Sequence, residues 1–270
     1  MTGARPSVLV VMPTLGERPD TLTDAMRSAA EQEGVDVRLV VVVPAGATAA
    51  RAAAHELGAD VVDDPRRGLT GAVNAGLDAR HGEEFYAWLN DDDYFLPGAL
   101  AHLARLLQED PGAVVAFGAC DYIDPVGRSI AVSRAGTWAT RILGWGPDLV
   151  PTPSSLVRLS AIDAVGQYDE SLRFAMDLDI FLRLRAHGRF IPTPMITSAF
   201  RWHPDSLTVS NRAHSSAESE AVKHRYLRPW TRPIAPLWDV PVRIASRLAA
   251  KRLNARAQAL SASTTSGSAG

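Results

Sequence analysis

One cysteine, Cys120, stands in 270 residues. That excludes an internal disulfide and fits a reducing, cytoplasmic compartment. Charge of one sign is missing too: the formal net charge is −2, so no global basic field invites nucleic acid. No stretch approaches the roughly 18 unbroken apolar residues that a bilayer-spanning helix needs. The opening MTGARPSVLVVMP carries an apolar run too short for a signal peptide. There is no internal repeat, and no GxGxxG follows the first apolar run, which argues against a dinucleotide cradle. What is there is ordinary for a globular chain: 46% hydrophobic and 21% charged residues.

The stretch EFYAWLNDDDYFLPGAL, 84–100, is the most informative. Phe85 to Leu89 reads as a buried strand that runs into Asn90, Asp91, Asp92 and Asp93. Three adjacent carboxylates repel one another and cannot enter a core without a cation. Pro97 is expected to open a helix. Acids at the carboxyl end of a strand, before a helix, sit where open α/β sheets bind ligands. A hard divalent cation bridging to a phosphate would neutralise them; a solvated acidic turn is the plainer alternative.

Along the chain, Ser7 to Met12 reads as a strand. Asp20 or Thr21 would cap a helix with Leu22, Ala25, Met26, Ala29 and Ala30 on one face, and Val37 to Val43 forms the next strand. This predicts a βαβ unit with a parallel sheet. Helix at 45–57, strand at 60–62, loop at 63–68 and helix at 69–80 follow, the last with Gly71 and Gly76 as signs of close backbone packing, of a close ligand or of simple tolerance. Another strand spans 113–117. The glycine-broken segment 118–149 predicts little regular structure; its Trp145 either stacks on a sugar ring or covers core. Asp177 opens a helix, DLDIFLRLRAHG, as an N-terminal acid or as a site group, and the helix dipole is expected to keep it ionised. Asp179, two residues on, cannot face the same point as Asp177, so one of the two should point at the site and the other at a neighbouring basic group. His203 follows the strand-like ITSAFRW. From Lys223 to Arg256 there are nine Lys or Arg and one acid, Asp239, interleaved with tryptophans and aliphatics. That pattern suits either an anionic membrane surface or a helix packed back on the domain. Residues 258–270 read as a disordered tail.

Four blocks in order, VMPTLGERPDTLTDAMRSAAEQ, GLTGAVNAGLDARHGEEFYAWLNDDDYFLPGAL, VPTPSSLVRLSAIDAVGQYDESLRFAMDLDIFLRL and FRWHPDSLT, together resemble the family 2 glycosyltransferases over most of 7–210. The resemblance implies the GT-A fold: an α/β architecture with one Rossmann-like open mixed sheet flanked by helices, here with a C-terminal helical extension. It divides the chain into a transferase domain at 1–222 (donor half to about 117, acceptor half beyond), a basic extension at 223–257 and the tail. It implies transfer of a sugar, with inversion, from a nucleoside diphosphate donor to a hydroxyl of a glycan, lipid-linked or small-molecule acceptor, as in cell-surface polysaccharide, glycolipid or secondary-metabolite glycosylation. Asp92 matches the metal-binding acid, for Mg²⁺ or Mn²⁺, and Asp91 its neighbour facing ribose or metal. Asp177 matches the general base, and His203 a position that reaches metal or diphosphate. Thr14, Glu17 and Arg18 match the loop bordering the nucleotide; Pro13, Arg67, Gly68, Asn74 and Asn90 are further donor-side candidates. The family usually carries base-reading acids after the second strand, where this chain has Val43, Pro44 and Ala45; UDP, dTDP and GDP donors therefore all stay open. The expected location is cytoplasmic, or peripheral at the inner membrane face. Two rivals stand beside this reading: a sugar-nucleotide-binding protein without activity, and a nucleotidyltransferase, for which the loop PTLGERPDT has too little glycine.

Overall fold

In a computed structural model the structure describes residues 4–134, 136–202 and 212–267, with backbone alone for 212, 213 and 261–267. Nine strands form one sheet in the order β3-β2-β1-β4-β8-β6-β9-β5, with β7 paired to β6. Their ranges are β1 Ser7–Pro13, β2 Asp36–Val43, β3 Asp60–Asp63, β4 Phe85–Trp88, β5 Tyr94–Phe95, β6 Ala113–Ile123, β7 Ser129–Ser133, β8 Ser155–Arg158 and β9 Arg189–Arg201. The first four are parallel. β8 then runs antiparallel between β4 and β6, and β9 returns parallel to β6. The open mixed sheet expected from the sequence is therefore present.

β-Branched strands with side chains alternating between faces feed two cores. Val8, Val10 and Met12 of β1 pack with Leu22 and Met26 of α1 (Pro19–Ala30) and Leu100 and Leu103 of α4 (Ala99–Glu109). Leu9 and Val11 face Val73 and Leu77 of α3 (Gly68–Asp78) and the apolar side of α7 (Met176–Leu184). The remaining helices are α2 Thr48–Glu56, α5 Gly136–Ile142, α6 Leu159–Val165, α8 Arg212–Tyr226 and α9 Pro236–Gly267. Gly76 answers the question its presence raised: a Cβ there would collide with the Val11 side chain. The glycine lets α3 lie close on β1.

Four local expectations are corrected. α1 begins at Pro19 with Arg18 in the capping position and no side-chain cap, so neither Asp20 nor Thr21 caps it; a proline in the first turn has no amide to satisfy. Pro97 does not start a helix, because Tyr94 and Phe95 first pair with β9 and the chain must turn through Gly98, at φ 71°, before α4. Segment 118–149 is more regular than its glycines suggest. β6 continues to Ile123 and returns as β7. Gly118 sits within β6 because a Cβ would lie 2.7 Å from the Met195 carbonyl oxygen on β9, and Asp124 closes the hairpin by accepting the amides of Val126 and Arg128. Finally, the expected boundary at 222/223 falls inside α8, and the chain expected to be disordered from 258 stays helical to Gly267; 268–270 lie outside the described residues.

Candidate functional site

The carboxyl ends of β1 and β4, the amino end of β8 and the carboxyl ends of β6 and β9 share one rim of the sheet, since β8 is antiparallel to its neighbours. The acid cluster lies there. Thr14, just past β1, donates its hydroxyl to Asp91 Oδ2 at 2.6 Å and accepts the Gly16 amide at 2.9 Å. Arg18 pairs with Asp92 and lies 3.6 Å from Asp91. Burial pushes the Asp91 carboxyl up, opposed by the Thr14 hydroxyl. Pro13 is buried at the strand end, and Glu17 is exposed in the same loop.

The four acid-cluster residues divide in role. Asp93 is buried and turned inward, accepting the Arg201 amide and the Asn90 side chain, each at 2.8 Å. Burial first, then the Asp92 charge, pushes Asp93 up to about 7. Asn90 therefore spends its amide on Asp93. Arg201 closes the cluster from β9: its Nε reaches the Asp92 carbonyl at 3.0 Å, and its guanidinium the Pro125 carbonyl at 2.8 Å. Asp91 and Asp92 are left facing the loop.

Other donor-side candidates are committed elsewhere. Asn74 is buried, with both ends of its amide on the Tyr168 backbone at 2.9 and 3.1 Å; it ties α3 to the acceptor side and does not present its amide to a ligand. Arg67, before Gly68 at the start of α3, pairs with Glu170 at 2.9 Å. Beside Val43, where base-reading acids were expected and are lacking, the register partner is Asp63 of β3.

Asp177 is the second residue of α7. The Leu178 amide donates to its Oδ1 at 2.8 Å and the Thr152 hydroxyl to its Oδ2 at 3.2 Å. Thr152 lies in the 3-10 turn Thr152–Ser154 that enters β8, hence at the rim beside the end of β4. Of the two acids Asp179 is the one that meets a basic group, Arg183 at 2.9 Å, and it also accepts from the Tyr226 hydroxyl at 2.7 Å. The expectation that the helix dipole dominates Asp177 is corrected: burial raises its proton affinity against those hydrogen bonds, and the charge of Glu218 raises it further.

Three charged residues of this region, two of them acting on Asp177, were not foreseen. Asp148 stands in the 146–150 loop, open to solvent yet ringed by protein, and accepts the Val150 amide. Crowding and the Asp177 charge push its carboxyl up; the repulsion is mutual, so the pair titrates together. Lys223 of α8 is buried and donates to the Gly146 carbonyl, holding the same loop. Glu218 Oε1 accepts the amides of Arg173, Phe174 and Ala175 at 3.0, 2.6 and 2.8 Å, capping the helix that carries Asp177. An acid between Gly146–Pro147 and Pro151 was the only sequence signal for Asp148; nothing local marks Glu218. Trp138 and Trp145 are exposed beside this loop, so Trp145 does not cover core.

His203 lies outside the described residues. Among the described residues no group of three or more His, Cys, Asp or Glu is arranged to hold a metal. Asp91 and Asp92, which also carry the Thr14 hydroxyl and the Arg18 guanidinium, offer the carboxylate oxygens that a hard cation takes when water and substrate phosphate complete its shell.

Two solved structures share this fold at low identity. A mannosyltransferase from Pyrobaculum calidifontis, in complex with GDP-Man and Mn²⁺, aligns with TM-score 0.63 and 19% identity, over 97% of this chain and 80% of that one. S. aureus TarS 1-349 in complex with UDP-GlcNAc aligns with TM-score 0.61 and 16% identity, over 80% of this chain; the alignment spans 65% of the TarS fragment. No curated protein matches the chain. The described rim and its acids fall largely within residues 9–154, over which the chain matches the model of glycosyl transferase family 2, and as that match covers more than half of its length, the chain belongs to this family.

Proposed function

We propose that this protein transfers a glycosyl group from a nucleoside diphosphate sugar to an acceptor hydroxyl, with inversion and with Asp177 as general base. The observation that carries the reading is the Thr152–Asp177 hydrogen bond. It ties the base to the turn that enters β8, beside the acids that end β4. Donor diphosphate and acceptor hydroxyl would then meet across one rim.

On this reading the diphosphate approaches Asp91 and Asp92, with Arg18 beside them. A Mg²⁺ or Mn²⁺ held by Asp92 with Asp91 would supply Lewis-acid stabilisation of the leaving diphosphate. The acceptor O–H bond breaks as its proton passes to an oxygen of Asp177. The new bond forms from the acceptor oxygen to the anomeric carbon. The bond from that carbon to phosphate oxygen breaks on the opposite face, and its electron pair leaves with the nucleoside diphosphate. Thr152 and the Leu178 amide each occupy one lone pair of the carboxylate and fix its plane, leaving a lone pair for the proton. Positioned base catalysis is worth roughly two to four orders of magnitude. Trp145, exposed beside the Asp148 loop, offers an apolar face on which an acceptor sugar could stack. The donor base stays open among uridine, thymidine and guanosine; relatives of the same fold bind UDP-GlcNAc and GDP-Man.

A panel of UDP-, dTDP- and GDP-sugars with Mg²⁺ or Mn²⁺, scored for donor hydrolysis and transfer, tests the reading. One donor should be hydrolysed in a metal-dependent way, and Asp92→Ala should abolish metal-dependent nucleotide binding while the fold persists. Binding without hydrolysis or transfer would favour the binding-only alternative. Unchanged metal dependence in Asp92→Ala would remove Asp92 from the metal site.

A further inference from the structure

The basic extension resolves into two faces that do different things. The inward face of α9 is spent on the domain. Asp239 is buried and accepts His224 Nε2 at 2.8 Å, Arg243 forms a double hydrogen bond with Glu220 at 2.9 and 2.8 Å, and Asn254 accepts Trp202 Nε1 at 2.7 Å. The outward face carries Leu237, Val240, Ile244 and Leu248, all exposed, Leu237 by 75%. Their spacing of three, four and four residues puts them in one stripe at about 3.6 residues per turn. The 3-10 turn before the helix, Pro229–Ile234, adds Trp230, 68% exposed, and Ile234. The helix stripe and the two side chains of the preceding turn are six exposed apolar groups within 19 residues, 230–248.

Cations border the strip on both sides. Arg247 falls on one flank and Arg252 on the other at helical spacing, Lys251 ends the stripe three residues past Leu248, and Arg228 and Arg232 surround Trp230; all five are exposed. Between 227 and 256 the only carboxylate is Asp239, which faces inward. A strip of this kind wants a partner that is apolar beneath an anionic skin. A second copy of the same face would bring cation against cation. Among the described residues no helix is long and apolar enough to cross a membrane, so the contact is with a surface.

We propose that the outward face of α9, with Trp230 and Ile234, docks on an anionic lipid bilayer, lying in its interface plane with the cations toward lipid headgroups. Apolar burial and attraction to headgroups act together in such helices, and tryptophan favours the interfacial depth. The proposal is independent of the transfer reaction.

The full-length protein is mixed with vesicles of phosphatidylcholine alone, or of phosphatidylcholine with phosphatidylglycerol, and sedimented. It should pellet with the anionic vesicles at low salt, stay in solution with the neutral ones, and release as salt screens the headgroups. A double variant Leu237→Glu with Ile244→Glu and a triple variant Arg247→Gln, Lys251→Gln, Arg252→Gln should each weaken partition at least about tenfold. All five positions are exposed, Arg252 at the edge of the groove between α9 and β7, and an unchanged melting temperature verifies the fold; if the first variant melts early, the second decides alone. Trp230 emission should shift to the blue on anionic vesicles, a shift absent in Trp230→Phe. Equal partition of wild type and the triple variant would overturn the proposal. So would a wild-type dimer in sedimentation velocity that the apolar variant dissolves, with no vesicle binding: the face would then be a contact between copies.

Discussion

Asp177 holds its carboxylate between two donors and two repelling neighbours, Asp148 and Glu218, and this sets what its replacement should do. In Asp177→Asn the amide oxygen can keep the Leu178 N–H, and the Thr152 hydroxyl can rotate to accept from the new NH₂. Shape survives while basicity goes. Turnover should fall at least about a hundredfold, with donor affinity and melting temperature nearly unchanged; near-normal kcat would sink the assignment. Burial raises the proton affinity of Asp177 above the ordinary carboxylate range, and a base must be ionised to work, so activity should fall as pH drops through that raised value. Asp148→Asn removes the neighbouring carboxylate and should move the acidic limb of the kcat profile to lower pH. A limb that does not move would mean that Asp148 is electrically remote from the base. At this scale the sequence made part of the site legible. Asp91, Asp92 and Asp177 stand in motifs whose neighbours in the chain are also neighbours in space. Asp148 and Glu218 reach Asp177 from 29 residues before it and 41 after, a proximity that no local pattern encodes.

The helix carrying the base is held by another helix. Glu218 of α8 takes three amides at the approach to α7, where backbone donors would otherwise lack partners. Glu218→Ala should cost about 0.5–2 kcal/mol, the usual range for a lost cap, and should lower kcat because Asp177 loses its fixed platform. Glu218→Gln keeps an accepting oxygen and should restore stability. By removing a charge that raises the Asp177 proton affinity, it should also shift the acidic limb downward. If Glu218→Gln matches Glu218→Ala in both melting temperature and kcat, the cap is not what positions the base. Elements with strong periodicity, such as β1, α1 and β2, were readable because one face had to be apolar. β7 and the far half of β6 were not: Gly118 imitates a breaker although it sits in a strand where a neighbouring backbone leaves no room for a Cβ. Pro97 imitates a helix start because the pairing of Tyr94 and Phe95 with β9 links residues about a hundred apart.

Across the molecule, the site acids are strained against ionisation. Asp91, Asp93 and Asp177 are raised mainly by burial, and Asp148 by crowding and the Asp177 charge. A group whose folded value lies above its unfolded one binds more protons when folded, so its contribution is full at low pH and lost as pH rises through the folded value. Glu83, Asp110, Asp124 and Asp169 are lowered and act oppositely, losing their contribution as pH falls through their folded values. The melting temperature should therefore climb out of strong acid and then decline from mildly acidic toward neutral pH. Asp93→Asn should flatten that decline; a melting temperature that rises steadily to neutrality would show that the buried acids are compensated. The βαβ start and the open sheet were legible because each element announces its own period, but the insertion of β8 between β4 and β6 was not, since strand order leaves no trace in local pattern. That insertion carries a cost in time. During synthesis the edge of β4, the fully buried FYAW, has no neighbour on one side until residues 155–158 emerge some seventy positions later. For that interval the nascent first half of the chain shows an apolar, unpaired strand edge of the kind that recruits other chains. The two halves of the site are thus not two halves of the folding problem: neither closes its sheet without the strand that the other supplies.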